Sequence, residues 1–336
     1  MKTDRCPSTL RQGFDTYSPT AKKKVFSGKQ VSHVLPFLPP EKDEEINEAF
    51  LENRKRLSIS GVQKKLSLRL EKNKLRLTKQ GEHGQYILKP IPDDIKRPDQ
   101  VPANEHVTMQ IAAQVFKIST APNAMIFFND GQPAYITKRF DYKKDGSKYG
   151  MEDFASLAQM TRDTRGVDFK YDGSYEDIFQ LLKKYVGPYK IEAQKLFRLI
   201  LFNYVFCNGD AHLKNYSLIE TEQGDYILSP AYDLLNTRIH VNDADVALKK
   251  GLFNDHETES YKANGYYAFD DFFELGKRAE LPDAIIKSEI TLFLKSTQGV
   301  QALLSQSFLE SMIKSRYIQL FDEKINRLNY SFKKLS

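Results

Sequence analysis

The chain has 336 residues, 40% hydrophobic and 12% aromatic, enough for one large or two moderate globular domains and unlike a disordered chain. Its net charge of +6, from 50 Lys and Arg against 44 Asp and Glu, is modest, so most charges are ordinary solvated surface. Two cysteines cannot build a disulfide framework or a four-thiolate zinc site, and no apolar run approaches the roughly 18 residues of a membrane span. The opening Met-Lys-Thr-Asp-Arg lacks the apolar core of a secretion signal, so a cytoplasmic protein without membrane association is expected. Cys207 closes an apolar helical run and is expected to be a buried small hydrophobe. The basic clusters Lys22-Lys23-Lys24 and Arg54-Lys55-Arg56 could meet nucleic acid or an acidic protein, but each alone reads as a solubilising surface.

Residues 1–50 carry Pro7, Pro19, Pro36, Pro39 and Pro40 and predict an irregular lead-in that must dock on something or stay mobile. Glu44–Leu57 has helical composition. From Ser58 the period becomes two: Leu66, Leu68 and Leu70 alternate with Ser67 and Arg69, and Lys72-Asn73-Lys74 turns the chain into Leu75-Arg76-Leu77, a hairpin with one buried face. Gln85–Leu88 predicts another strand, ending at Lys89 and stopped by Pro90. Asn104–Phe116 carries Val107, Ile111, Ala112 and Val115, the spacing of a helix with one buried stripe. Ala124–Phe128 and Ala134–Arg139 flank Asn129-Asp130-Gly131, a second hairpin whose Asp-Gly supplies the required positive φ. After Tyr149 the pattern turns helical over Glu152–Met160, Tyr175–Val186 and Ile191–Cys207. Tyr216–Ile219 and Tyr226–Leu228 are short strands, and Phe269–Leu275, Pro282–Leu294 and Gln301–Leu328 return to helix. Strands early and helices late predict a two-lobed α+β protein. Its expected parts are a lead-in over 1–50, a strand-rich N-lobe over 51–148 and a helical C-lobe over 149–336.

Between the two halves of that pattern lies Phe202–Leu218, FNYVFCNGDAHLKNYSL. Its apolar helical run ends at Asn208-Gly209, Asp210 follows, and Asn215 comes five residues later. A lone Asp233 sits beyond the short strands. A loop of this Asp-x4-Asn form, followed by an Asp after a hairpin, is how kinase-like enzymes place a base and two metal ligands. In isolation a loop Asp is usually a turn former or helix cap.

The wider order is more specific. Ser58-Ile-Ser60-Gly61-Val62-Gln63-Lys64-Lys65 precedes Tyr86-Ile-Leu-Lys89-Pro90, Asn104-Glu105-His106, Lys138-Arg139-Phe140-Asp141, Asn208–Asn215 and Ala231-Tyr232-Asp233. This series resembles the HipA family of bacterial serine/threonine kinases, the toxins of toxin–antitoxin operons, from about Arg56 onward. Only a few dozen residues precede Ser58, so the chain resembles most the short HipT form, in which a separate small protein stands for the missing N-terminal subdomain. The resemblance implies a protein-kinase-like fold, ATP and Mg²⁺. It also implies antitoxin partners of the same operon, that small protein among them, with DNA reached only through an antitoxin. Its implied substrate is an aminoacyl-tRNA synthetase, tryptophanyl by analogy with HipT.

Asp210 would be the base, and Asn215 and Asp233 the metal ligands, since Mg²⁺ prefers carboxylate and amide oxygen. Lys89 would meet the α/β-phosphates with Glu105 as its partner, and Lys214 would steady the transferring phosphate. Ser60, Gly61, Val62, Gln63, Lys64 and Lys65 match the loop over the phosphates, where Gly61 permits close approach. Lys138, Arg139 and Phe140 match the segment that holds adenine, largely through backbone. Tyr232 and His212 belong to the nucleotide side, His212 more often a structural hydrogen-bonder in such a loop than a catalyst. Ser58 resembles the autophosphorylated serine of the family, with Ser60 a second hydroxyl nearby. A phosphate there would expel the loop or block ATP. Two other readings are open: a small-molecule phosphotransferase of the aminoglycoside-kinase type, which lacks the Ser-Ile-Ser-Gly-Val-Gln loop, and a non-enzymatic docking module, which would have no use for Lys89, Asp210, Asn215 and Asp233 together.

Overall fold

The alternation around Leu66 forms the hairpin it predicts. In the computed structural model, which describes residues 2–39, 65–93, 95–143 and 145–332, strands β1 (Leu66–Glu71) and β2 (Lys74–Leu77) pair antiparallel. Lys72 and Asn73 join them with φ of 44° and 69°, consecutive left-handed residues whose twist matches that of the strands. Strand β3 (Tyr86–Lys89) pairs with β1, and β4 (Asn123–Phe127) and β5 (Pro133–Lys138) complete an antiparallel sheet of order β2-β1-β3-β5-β4. The helix expected at Glu44–Leu57 lies outside the described residues, as do Ser58, Ser60, Gly61, Val62, Gln63 and Lys64.

The lead-in is more ordered than its prolines suggest. Helix α1 (Pro19–Phe26) starts with Ser18, whose hydroxyl accepts from Ala21 N, and with Pro19 at the first position, where a missing N–H costs nothing. Residues 33–37 run beside β4: Phe127 N donates to His33 O at 2.9 Å, and Leu35 N donates to Phe127 O at 2.7 Å. Met125 N donates to Pro7 O at 2.7 Å. These contacts occupy an edge that would otherwise present unpaired amides, which is why β4 is buried along its whole length. Tyr17, Val25, Phe26 and Leu35 enter one apolar core with Leu66, Leu68, Tyr86, Leu88, Ile126 and Ile136. Each such side chain contributes about 1.5–3 kcal/mol on burial.

The chain divides into two compact units. The first comprises Met1–Ile111, Ala121–Tyr142 and Ala302–Lys314; the second comprises Ala112–Thr120, Lys143–Gln301 and Ser315–Ser336. Helix α2 (Val101–Gln114) begins three residues before the stretch its apolar spacing marks, because Pro102 is tolerated in a first turn.

In the second unit, β6 (Met151–Asp153), β7 (Ser217–Glu220) and β8 (Tyr226–Leu228) form an antiparallel sheet in that order. The expected helix over Glu152–Met160 is therefore mostly replaced. Its first residues pair with β7, and only α3 (Phe154–Leu157) is helical, capped by the Asp153 side chain. After the single turn α4 (Arg162–Arg165) come α5 (Tyr175–Tyr185) and the long α6 (Tyr189–Val205), both close to their expected bounds. Phe116 stacks on Phe293 with ring centroids 4.4 Å apart, and Phe202 stacks on Phe206 at 4.3 Å, fixing the end of α6 in the apolar interior.

The remaining helices are α7 (Glu259–Asn264), α8 (Phe269–Arg278), α9 (Asp283–Leu294), α10 (Thr297–Ser305) and α11 (Ser311–Asn329). The single helix expected over Gln301–Leu328 is broken between the last two, where the Ser307 hydroxyl turns back to Leu304 O at 2.7 Å. Cys207 is buried, as expected, and carries no disulfide. No helix among the described residues is long and apolar enough to cross a membrane.

Candidate active site

Lys89 ends β3, a central strand, so its side chain leaves the sheet from a buried position. Its ammonium lies 2.5 Å from Glu105 Oε1 on α2, and both side chains are 3% exposed. The ammonium also faces the Tyr135 ring at 5.4 Å. The strand-and-helix pairing expected of Lys89 and Glu105 is present. Attraction between two desolvated charges offsets the cost of removing both from water.

At the end of β5, Lys138 N donates to Pro122 O at 2.8 Å and Arg139 N to Gln85 O at 2.9 Å. The Lys138 ammonium donates to Ser27 Oγ at 2.8 Å, and burial lowers its pKa. Arg139 pairs with Asp141 at 2.5 Å and lies over the Tyr142 ring. Phe140 and Lys65 are partly buried in the same unit.

The Asp210 loop in the second unit is stitched down before its functional side chains begin. Cys207 takes a left-handed φ of 51°, which turns the chain sharply out of α6. Thr237 N donates to Cys207 O at 3.1 Å, its hydroxyl lies 2.9 Å from the same oxygen, and that hydroxyl accepts from Gly209 N at 2.9 Å. The Asn208 amide donates to Asn203 Oδ1 at 2.9 Å and to Asp233 O at 3.3 Å. The loop and the later Asp are thereby tied together through backbone.

Asp210 stands half-exposed, its side chain 56% accessible, and its Oδ1 accepts from the Tyr171 hydroxyl at 2.5 Å. His212 Nε2 is 4.0 Å from the same oxygen. Burial holds the His212 imidazole down at about 4, so it is neutral near pH 7 and leaves the Asp210 charge uncancelled. His212 packs edge-on against the Tyr171 ring at 5.2 Å, the structural role that such a loop histidine usually has. Asn215 Oδ1 accepts from His212 N at 3.2 Å, and its amide nitrogen is 3.4 Å from Asp233 Oδ2. Asp233 holds a left-handed φ of 56°, uncommon outside glycine and frequent where a side chain is aimed for function.

Asp233 and Asn215 are thus adjacent through the Asn215 amide nitrogen, with Asn215 Oδ1 turned to His212 N, and by type the pair offers a carboxylate and an amide oxygen. That donor set fits Mg²⁺, which takes one or two protein oxygens and completes its shell with water and phosphate. Lys214 points to Asp153 Oδ2 at 2.6 Å. The Tyr232 hydroxyl lies 2.6 Å from Ser217 Oγ and donates to Lys214 O at 2.9 Å, so it braces the loop's backbone. The arrangement can accept a proton at Asp210 and ligate a hard cation at Asn215 and Asp233.

Sequence reasoning missed Tyr171, Asn203, Asn208, Asp153 and Thr237. Asn208 stands next to Gly209 in the quoted loop and was open to a reading as a brace. Tyr171 and Thr237 lie 39 residues before and 27 after Asp210, in short turns without periodicity, and no spacing signals them.

Residues 57–298 match the family model of the HipA-like C-terminal domain. A Haemophilus influenzae protein provisionally named a kinase is 28% identical over 270 residues, which are 75% of this chain and 76% of the relative. The Sinorhizobium fredii protein Y4dM, also provisionally named a kinase, is 30% identical over 264 residues. That match covers 74% of this chain and 59% of the relative. Among solved structures, HipA of Shewanella oneidensis, in a complex with HipB and operator DNA, matches with a TM-score of 0.61 and 20% identity, covering 81% of this chain and 65% of that one. The Helicobacter pylori proinflammatory kinase CtkA matches with a TM-score of 0.51 and 16% identity, covering 78% and 93%. At these identities the two structures establish the fold, the mixed α+β fold of HipA and CtkA.

Proposed function

The chain belongs to the HipA-like C-terminal domain family, and on that premise we propose that it is an ATP-dependent serine/threonine protein kinase acting as the toxin of a toxin–antitoxin system. The observation that carries this reading is that Asp233, tied to the Asp210 loop through the Asn208 amide, meets the Asn215 side chain, its Oδ2 3.4 Å from the amide nitrogen, beside a half-exposed Asp210. Phosphoryl transfer requires positioning and charge neutralisation more than covalent chemistry, and these groups supply both. Asp210 takes the proton of the acceptor hydroxyl. Asn215 and Asp233 would hold Mg²⁺, which when bound supplies positive charge to the nucleotide phosphates. Lys89, kept in place by Glu105, neutralises the α/β-phosphates. Lys214 steadies the transferred group by exchanging the Asp153 carboxylate for it.

Ser60, Gly61, Val62, Gln63, Lys64 and Lys65 are assigned to the nucleotide phosphates, and Lys138, Arg139 and Phe140 receive the adenine. His212 and Tyr232 support that nucleotide side. In this reading 51–148 and 149–336 are the two lobes, and 1–50 is a lead-in. The protein acts in the cytoplasm, and its partners are the antitoxins of its operon, including a small protein resembling the N-terminal subdomain of longer HipA chains.

Autophosphorylation falls on Ser58 or Ser60, and the external substrate is an aminoacyl-tRNA synthetase, tryptophanyl by family resemblance. The test is to incubate the protein with Mg-ATP, alone and with purified tryptophanyl- or glutamyl-tRNA synthetase, and to map phosphoserine by mass spectrometry. Phosphate on Ser58 or Ser60 and on the tryptophanyl enzyme is expected. Modification of the glutamyl enzyme alone would overturn the substrate assignment, and modification of neither would favour a small-molecule substrate.

A further inference from the structure

Tyr171 is the one uncharged side chain whose hydroxyl touches the Asp210 carboxylate in the described structure, at 2.5 Å on Oδ1. Asp210 is more than half exposed, so water alone could satisfy its oxygens and no buried charge needs the phenol. Nor is the phenol on a loose surface turn. Lys249 N donates to Tyr171 O at 2.9 Å, Lys250 N to Gly173 O at 3.1 Å, Tyr175 N to Gly251 O at 3.0 Å and Glu176 N to Leu252 O at 3.0 Å. Lys249 also pairs with Asp172 at 2.6 Å. The ring itself is wedged edge-on against His212 at 5.2 Å. A hydroxyl on a pinned backbone, with its ring packed on both chain and loop, is a fixed donor.

We propose that Tyr171 is a positioning residue that locks the Asp210 carboxylate in one orientation, engaging Oδ1 so that Oδ2 alone faces the acceptor hydroxyl. This rests on the kinase reading of Asp210. An exposed aspartate otherwise samples several rotamers, and only some place an oxygen within reach of the acceptor proton. Since transfer demands close alignment, a base that is right only part of the time lowers turnover without altering nucleotide binding. Burial, then the adjacent Asp210 charge, raises the Tyr171 pKa, so the phenol remains a neutral donor.

The test compares wild type, Tyr171→Phe, Asp210→Asn and the double variant in transfer from γ-labelled ATP, across ATP concentrations. Phenylalanine keeps the ring against His212 and removes only the hydroxyl. The expected result is a roughly 10- to 100-fold fall in the maximal rate for Tyr171→Phe, with the half-saturating ATP concentration within about twofold of wild type. In the Asp210→Asn background the same substitution should change the residual rate less than about twofold, because there is no carboxylate left to orient. An unchanged maximal rate in Tyr171→Phe, or a loss shared equally between the two parameters, would overturn the inference. A Tyr171→Phe protein that fails to fold would overturn it too, since a positioning role leaves the melting temperature in place. Absence of transfer by wild type would instead sink the kinase reading itself.

Discussion

Lys89 and Glu105 are each 3% exposed and 2.5 Å apart, so neither tolerates loss of the other's charge. Glu105→Ala is expected to destabilise the fold by about 3–5 kcal/mol, because a buried ammonium loses its carboxylate, whereas Glu105→Gln, which keeps a hydrogen-bond acceptor, should cost less. Chemical denaturation measures both, and a loss below about 1 kcal/mol in the alanine variant would mean that water reaches Lys89 freely. What spacing made legible at this scale is the gathering of Asn215 and Asp233 beside the Asp210 loop, since their pattern is one that chemistry itself prescribes. Tyr171 and Asp153 were not, because each meets its partner only once distant turns and strands have closed.

At the scale of elements, period-two and helical patterns gave the hairpins and the helices α5 and α6, since one-sided burial writes itself into the order of residues. Three of the features that escaped show why. Strand β6 is only Met151–Asp153 and pairs with residues more than 60 positions later, too short for a period to show. Helix α1 hid among prolines, although Ser18-Pro19 is a start signal that could have been taken. The break between α10 and α11 interrupts an apolar stripe that runs through Leu303 and Leu304 and resumes at Ile313 and Tyr317.

The Asp210 loop behaves as one element braced from below, and Gly209 shows how tightly. A Cβ there would lie 2.4 Å from the Asp243 side chain and 2.7 Å from the Ala244 carbonyl oxygen. Gly209→Ala must therefore shift either the loop or the 243–244 backbone, and it is expected to cost about 1–3 kcal/mol in stability and at least tenfold in turnover. Denaturation and turnover measured on the same preparation check this. Wild-type values in both would show that the brace is slack.

For the molecule as a whole, the division into two compact units, one built on a five-stranded sheet and the other mainly helical, agrees with the order of strands and helices along the chain. What periodicity could not supply was the lead-in's contribution to the first unit, since His33, Leu35 and Pro7 pair with β4 through backbone groups that leave no mark on side-chain pattern. The chain spans 76% of its Haemophilus relative but 59% of Sinorhizobium Y4dM and 65% of the Shewanella HipA chain. The proposed catalysis rests on this chain's own side chains. The most direct test is transfer of label from γ-labelled ATP in Mg²⁺ by purified wild type, Asp210→Asn and Asp233→Asn. The account predicts transfer by wild type and a loss of at least about 100-fold in each folded variant, because one lacks the base and the other a metal ligand. Transfer at near wild-type rates by both folded variants would contradict it.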